Sequence, residues 1–209
     1  NEYLWTTTWQ MACMEVDLQN PGDHVVYDVA DQSLIVTRTK DGAIKAFHNA
    51  CLHRGTKLRV DGGRVASFRC PFHGFSWNID GTMKNLPCAW DFPEIDPTNF
   101  PLPEAKVATW NGFVFVNQDP EAEPLEDFLG PLIDRIAPYD LASMTLVGDQ
   151  TVTLACNWKA VFDNFQELYH VEHIHPQHQE LFDCPSASVD LFEHGHTGVT
   201  IEGHTLNAR

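Results

Sequence analysis

Two short segments, each with one cysteine and one histidine, constrain this chain more than any other feature. The first is Cys51-Leu-His53 and the second is Cys70-Pro-Phe-His73, with sixteen residues between them. A glycine follows each segment closely and a predicted strand precedes it, so each lies on a turn where both side chains can point at one centre. The pattern predicts a shared metal site with two sulfur and two nitrogen ligands.

The order of these four ligands along the chain separates two kinds of metal site. Two thiolates and two imidazoles suit either a tetrahedral zinc ion or a [2Fe–2S] cluster with two cysteines on one iron and two histidines on the other. Zinc fingers usually place both cysteines in one half and both histidines in the other. Here each half supplies one of each, which favours the mixed ligation of a Rieske cluster over zinc and over four unrelated buried residues.

Composition and charge narrow the function classes. Thirteen Lys and Arg against 29 Asp and Glu give a net charge of −16, which argues against bulk binding to nucleic acid or an anionic membrane. No apolar run approaches the length of a membrane span and no signal peptide is visible, so we expect a cytoplasmic protein. A chain that is 43% hydrophobic needs no disulfides, and we expect the four spare cysteines to be buried small hydrophobic residues: Cys13, Cys88, Cys156 and Cys184.

Residues 23–117 have the pattern of short strands joined by tight turns. The predicted strands are His24–Val29, Ser33–Thr39, Ala43–Asn49, Val65–Arg69, Gly74–Ile79, Val107–Trp110 and Phe113–Asn117. Asn111-Gly112 is the strongest hairpin signal, and Leu86–Pro103 is predicted to be a long packed loop. A Pro-rich acidic stretch at 119–124 then separates a predicted β domain, residues 1–120, from residues 121–209.

The second part alternates helical and strand patterns. Apolar spacing predicts a helix over Leu125–Ile136, and Ser143–Cys156 is predicted to be a strand. Asn157 is a plausible N-cap for a helix from Trp158 to about His170. Residues 189–193 and 197–202 are predicted to form a hairpin. The fold class is therefore α+β.

A second group of candidate ligands lies on and after the last of these helices. Asn164, Glu167 and His170 are spaced i, i+3, i+6, which places them on one side of a helix. His175 follows five residues later, and Pro176 suits a helix end there. Two histidines and a carboxylate with open positions are the ligand set of non-haem Fe(II) oxygenases. The spacing alone is also typical of a solvated, histidine-rich helix end.

Together these segments resemble the Rieske non-haem iron oxygenases (aromatic-ring-hydroxylating dioxygenase-like), large (α) subunit. Segments 51–55 and 70–75 resemble the cluster loops of the ferredoxin and oxygenase branch, since they lack the extra cysteines of respiratory Rieske proteins. Residues 157–176 resemble the mononuclear-iron segment. The resemblance implies an antiparallel β Rieske domain, followed by part of a helix-grip-like α+β catalytic domain.

The resemblance also assigns roles to residues. Cluster ligands are matched by Cys51, His53, Cys70 and His73, and the iron histidines by His170 and His175. Glu167 matches the acid, usually Asp, that bridges a cluster histidine and an iron histidine, and Asn164 matches a residue near the iron. His173 and His178 do not fit the family spacing and are interpreted as surface residues or neighbours of the ligands. The third iron ligand is an Asp expected beyond Arg209, so the chain is interpreted as truncated.

The implied activity is that of a terminal oxygenase component. In this family an electron enters at the [2Fe–2S] cluster from a ferredoxin or flavin reductase. The electron comes indirectly from NAD(P)H. It reaches a mononuclear Fe(II) that activates O2 to hydroxylate, dihydroxylate or demethylate a small organic substrate. The resemblance also implies a homotrimer, with or without a small β subunit, in which the cluster of one subunit lies beside the iron of the next.

Two other functions remain open from the residues alone. A Rieske ferredoxin-type electron carrier would have the cluster loops but not the segment 157–176, and a zinc-binding interaction module would have no cluster. Five basic residues close to the cluster loops form either a docking patch for an acidic electron donor or ordinary loop charge with structural ion pairs: Arg54, Lys57, Arg59, Arg64 and Arg69.

Overall fold

The computed structural model of this chain describes residues 3–168, 170–178 and 182–203. The chain divides into two compact units, Asn1–Phe128 with Asp140–Ser143, and Leu129–Tyr139 with Met144–Arg209. The first unit holds both cysteine-histidine segments, and the second holds residues 157–176. The domain limits at residues 120 and 121 stay a prediction.

A seven-stranded antiparallel sheet forms the frame of the first unit. In chain order the elements of the first unit are the short helix α1 (Leu4–Thr7) and the strands β1 (Gln10–Met14), β2 (Asp23–Val29), β3 (Gln32–Arg38), β4 (Ile44–His48), β5 (Gly63–Arg64), β6 (Ser67–Arg69), β7 (Ser76–Asn78), β8 (Met83–Asn85), β9 (Glu104–Trp110) and β10 (Phe113–Asn117). The large sheet has the order β1-β10-β9-β4-β3-β2-β5, and β6-β7-β8 form a second, three-stranded sheet. The predicted strands are confirmed, whereas β1, β5 and β8 were not predicted.

The predicted Asn111-Gly112 turn joins β9 and β10. Both residues have positive φ, +52° and +87°, as the tight turn between twisted strands requires. The predicted loop between β8 and β9 contains only two short 3₁₀ turns, Ala89–Asp91 and Pro97–Asn99.

Alternation along β3 divides the apolar interior into two clusters. Leu34 and Val36 pack with residues of β4, β9 and β10 on one face of the sheet. Ile35 points to the other face, into the cluster that contains Phe68 of β6 and both Cys51 and Cys70. The two cysteines therefore belong to the same buried core as the three-stranded sheet.

The chain after residue 124 is less regular than the sequence predicts. The helix predicted over Leu125–Ile136 is two short helices, α2 (Leu125–Leu129) and α3 (Leu132–Ile136). Gly130, with φ +48°, and Pro131 separate them, since neither residue favours a helix interior. The strand predicted over Ser143–Cys156 is wrong, because that stretch is exposed and pairs with no strand in the described part of the chain.

The helix predicted from Trp158 to His170 is shorter than expected. Helix α4 spans Trp158–Asn164, and the side chain of Asn157 caps it by accepting from the N–H of Lys159. Helix α5 (Val171–Ile174) follows as a single turn. The predicted hairpin is confirmed as β11 (Phe182–Leu191) and β12 (Thr197–Gly203).

The α+β fold class predicted from the sequence is confirmed. Across the described ranges, none of the helices has the length and hydropathy that a bilayer-spanning segment requires.

Candidate metal centres

The two cysteine-histidine loops of the first unit fold into the same turn. In each loop the cysteine N–H donates to the carbonyl of the residue five positions later, and the glycine N–H donates back to the cysteine carbonyl. The N···O distances are 2.8 Å for Cys51 to Thr56, 2.8 Å for Gly55 to Cys51, 2.8 Å for Cys70 to Phe75 and 3.1 Å for Gly74 to Cys70. Both glycines are left-handed, with φ of +72° and +79°, where a side chain would be strained.

This shared turn brings the four predicted cluster ligands together as two pairs. Cys51 and Cys70 are 3% and 2% exposed, and both belong to the same buried cluster. The rings of His53 and His73 lie 4.7 Å apart at 64°, with His53 half-buried and His73 exposed. The loops thus present a buried sulfur pair and a more exposed imidazole pair.

Aromatic side chains hold the ring of His53. Phe75 stacks on it at 5.0 Å and 9°, and Phe92 meets its edge at 5.8 Å. Its Nδ1 atom is buried without a hydrogen-bond partner, an arrangement that is rare in folded proteins. Burial also lowers the pKa of His53, and the positive charges of His73 and Arg54 act in the same direction. A neutral imidazole with an unpartnered nitrogen is what a metal ligand at this position requires.

The two thiols differ in their electrostatics. Burial raises the pKa of Cys51, and the neighbouring Cys70 adds to that effect. Burial also acts to raise the pKa of Cys70, but hydrogen bonds from the N–H groups of Phe72 and His73 outweigh it, so the net direction is downward. The N–H groups of Phe72 and His73 therefore favour the thiolate form of Cys70.

The candidate donors of the first unit are arranged as two pairs. Among the residues that the structure describes, no three His, Cys, Asp or Glu side chains converge on one metal position. A [2Fe–2S] cluster with mixed ligands takes two donor pairs, one pair on each of two irons. The paired thiols, the paired imidazoles and the unpartnered Nδ1 of His53 fit the cluster.

The burial of the four spare cysteines agrees only in part with the expectation. All six cysteines are free thiols. Burial raises the pKa of the half-buried Cys13 to about 12, and Cys184 is also half-buried. The expectation is wrong for Cys88 and Cys156, which are exposed, because both lie in irregular segments outside the sheets.

Three of the five basic residues near the loops have structural contacts. The contacts are Lys57 to Asp28 at 2.9 Å, Arg64 to Asp23 at 2.6 Å, and Arg59 to the buried ring of His24 at 3.0 Å. Arg54 and Arg69 are exposed beside the ligands. Structural pairing therefore accounts for most of this charge, which weakens the case for a docking patch.

In the second unit, Glu167 and His170 are directly paired. The carboxylate of Glu167 contacts Nδ1 of His170, and its other oxygen accepts from the His170 N–H at 3.3 Å. The rings of His170 and His175 lie 5.4 Å apart at 77°. The structure thus brings together three of the four residues predicted at the iron, but not on one helix, because α4 ends at Asn164.

Asn164 is separate from this group. It is the exposed last residue of α4, and within the described ranges no hydrogen bond or ring contact joins it to either histidine. His178 packs against His175 with ring centroids 5.6 Å apart, in agreement with its interpretation as a neighbour of the ligands. His173 is exposed and lines a cavity of about 520 Å³ together with Glu167 and Cys184.

A third iron ligand is not among the described carboxylates. Asp190 is held 2.6 Å from Arg135, and in the part of the chain that is described no carboxylate joins His170 and His175 in a group of three. The assignment of His170, His175 and Glu167 to an iron site stays a prediction. Sequence reasoning missed the ring stack of Phe75 on His53, although a phenylalanine directly after the loop glycine was a signal for it.

Comparison with known proteins decides the family. The Rieske [2Fe–2S] domain profile matches residues 8–101, and the profile of the ring hydroxylating alpha subunit (catalytic domain) matches residues 141–207. The chain belongs to the Rieske oxygenase large-subunit family. This family implies a Rieske cluster in the first region and a mononuclear iron in the second.

Relatives of this Rieske chain have several substrates in their names. The glycine betaine monooxygenase oxygenase subunit of Chromohalobacter salexigens is 32% identical over 171 residues, which are 81% of this chain and 38% of that protein. The anthranilate 1,2-dioxygenase large subunit of Acinetobacter baylyi is 34% identical over 184 residues, 83% of this chain and 39% of that protein.

Most of this Rieske chain is similar to a solved structure of the quaternary ammonium Rieske monooxygenase CntA with L-carnitine. The TM-score is 0.78 at 27% identity, and the match covers 90% of this chain and 53% of that chain. This chain therefore spans between 38% and 53% of the length of these three relatives.

Proposed function

We propose that this chain is the cluster-bearing and iron-histidine part of a terminal oxygenase that acts on a small organic substrate. The observation that carries the proposal is the presence of two separate donor sets, Cys51, His53, Cys70 and His73 in one unit and His170 with His175 in the other. A pure electron carrier needs only the first set. The second set, with Glu167 paired to a histidine, supports an oxygenase.

The first donor set would hold the cluster through its two pairs. Cys51 and Cys70 would bind one iron, and His53 and His73 the other, with Nδ1 of His53 as its ligand atom because that nitrogen is buried and unpartnered. The N–H groups of Phe72 and His73 stabilise the Cys70 thiolate. When bound, the cluster supplies one-electron transfer, and neutral imidazole ligands raise its reduction potential above that of an all-cysteine cluster.

The second donor set would hold Fe(II) through His170 and His175. Glu167 accepts from Nδ1 of His170, which leaves Nε2 of that ring for the metal and fixes the orientation of the ring. When bound, the iron supplies O2 activation beside the substrate. Glu167 is also the proposed bridge to a cluster histidine of a neighbouring subunit, and Asn164 keeps its proposed place near the iron without a role as ligand.

Substrate and partners follow from the relatives. Two of them are named for glycine betaine and for quaternary ammonium oxidation, and one for anthranilate, so we infer a small organic substrate that is oxidised with O2. The electron donor would be a ferredoxin or flavin reductase that draws on NAD(P)H, and the assembly a homotrimer. Free thiols suit the reducing cytoplasm.

Metal analysis tests this proposal. The full-length protein, purified without air, should hold about three iron atoms and about two acid-labile sulfides per chain, whereas a carrier would hold about two of each. His170→Ala and His175→Ala should each remove about one iron and leave the electron paramagnetic resonance spectrum of the reduced cluster unchanged. His194→Ala, a histidine in the turn before β12, is the matched control and should keep all the iron. Zinc without sulfide would overturn the proposal.

A further inference from the structure

The two cluster loops have the same turn but are closed in different ways. Loop 70–75 joins β6 to β7, and the paired residues Arg69 and Ser76 close it with the hydrogen bonds of a sheet. Loop 51–56 begins after β4, but no strand follows it until the two-residue β5 at Gly63. The backbone hydrogen bonds of the turn end at Thr56, and no strand pairing continues beyond them, so residues 57–59 need another contact to fix them.

One side chain supplies that contact. Asn49 is 2% exposed and lies directly after β4, two residues before Cys51. Its Oδ1 accepts from the N–H groups of Leu58 at 3.0 Å and Arg59 at 2.9 Å. Its Nδ2 donates to the carbonyl of Arg59 at 2.7 Å and to Oγ of Ser33 at 3.0 Å.

These four hydrogen bonds use the full capacity of the carboxamide. Two acceptor positions and two donors are all that an asparagine side chain has. Three of the four bonds go to the backbone of residues 58 and 59, and the fourth goes to β3. Asn49 therefore closes residues 50–57 into a loop and anchors the loop to the large sheet, which is the role that the β6–β7 hairpin has for the other loop.

We propose that Asn49 is a positioning residue for the [2Fe–2S] cluster. By closing the first loop it fixes Cys51 and His53 with respect to Cys70 and His73, without touching the cluster itself. The proposal rests on the proposed function, because the ligands that Asn49 positions are those of the proposed cluster. It goes beyond that function by assigning the spacing of the two ligand pairs to one buried carboxamide.

The substitution Asn49→Ala tests this role against a matched control. It removes all four hydrogen bonds and leaves the buried N–H of Leu58 without that partner, so the far end of the loop is no longer fixed. Asn78→Ala is the control, since Asn78 Nδ2 donates at 3.0 Å to Oγ1 of Thr82 in another turn of the same unit. The measurements are the rate of iron release to a chelator, the electron paramagnetic resonance spectrum of the reduced cluster, and the thermal unfolding of the apoprotein.

We expect Asn49→Ala to release cluster iron about 10–100-fold faster than the native protein, the usual cost of losing an outer partner of a metal site. The paramagnetic resonance spectrum of its reduced cluster should be shifted, even in samples that are prepared well below the unfolding midpoint of the apoprotein. Asn78→Ala should keep the native spectrum and a release rate within about twofold of the native one, because its hydrogen bond is not part of either ligand loop. Native release and a native spectrum in Asn49→Ala would overturn the positioning role.

A second variant covers failure of the alanine protein to fold. Asn49→Asp keeps both acceptor bonds from Leu58 and Arg59 and loses the two donor bonds. Faster iron release with a shifted spectrum in this variant supports the proposal, and native behaviour overturns it. A native protein without cluster absorbance would instead overturn the proposed function, so the two failures are distinguishable.

Discussion

Replacement of Phe75 by leucine should perturb both the stability of the first unit and the environment of His53. Phe75 is 2% exposed, stacks on the ring of His53 at 5.0 Å, and meets Phe92 at 5.4 Å and 90°. A buried Phe-to-Leu change costs about 1–1.5 kcal/mol in packing. Loss of the ring pairs with His53 and Phe92 adds about 0.5–1.5 kcal/mol each. The expected total is about 2–4.5 kcal/mol.

Phe47→Leu is the matched control for this prediction. Phe47 is fully buried in the same apolar cluster as Phe75 but has no described ring pair and no contact with a histidine ligand. It should therefore cost only the packing part, about 1–1.5 kcal/mol. Phe75 and Phe47 thus share the chemistry of the change and differ in what their rings touch.

The assay combines urea unfolding of both variants, followed by circular dichroism, with the reduction potential and paramagnetic resonance spectrum of the cluster. Only Phe75→Leu should shift the spectrum and the potential, because the orientation of a ligating imidazole depends on what packs against it. Equal losses of stability in the two variants, with native cluster properties in both, would refute the idea that the ring stack orients His53.

Two further predictions concern charged pairs. Glu167→Gln should weaken Fe(II) binding about tenfold, because the neutral amide still accepts from the histidine but adds no charge. The control is Asp163→Asn, which changes an exposed carboxylate on α4. Equal Fe(II) affinities of the two variants in an anaerobic titration would contradict the prediction. The hydrogen bond from Arg64 lowers the pKa of Asp23 to about 2. The stability that this pair adds is therefore present above about pH 4 and is lost as the pH falls towards 2. In Arg64→Ala, the urea unfolding midpoint should therefore decline less steeply over that range. An unchanged pH profile of the midpoint in this variant would contradict the prediction.

The cluster loops were predictable because their geometry is local. Cys51 and Gly55 are four residues apart, as are Cys70 and Gly74, and both loops have the same turn with two internal hydrogen bonds. The pairing of the two loops also followed from sequence, since two sulfur and two nitrogen donors in split halves have few other uses.

The residues predicted at the iron come together in a different way from the one that their spacing predicted. The i, i+3, i+6 spacing predicted one helix face, but α4 ends at Asn164 and the next helix begins only at Val171. Glu167 still reaches His170 because residues three apart are also close in a turn. The separate position of Asn164 could not be read from spacing, since the helix end depends on what the following residues pack against.

The sequence by itself determined the donor types, their order, the strands that carry them and the hairpin turn at Asn111-Gly112. Each of these depends on residues within a few positions of one another, so local chemistry was sufficient. Only the tertiary structure decided that the stretch 143–156 forms no strand, that Phe75 supports His53, and that Asn49 closes the first cluster loop. These depend on partners that the fold brings together from distant positions, because a strand needs another strand, and a buried ring or carboxamide takes its role from the groups around it.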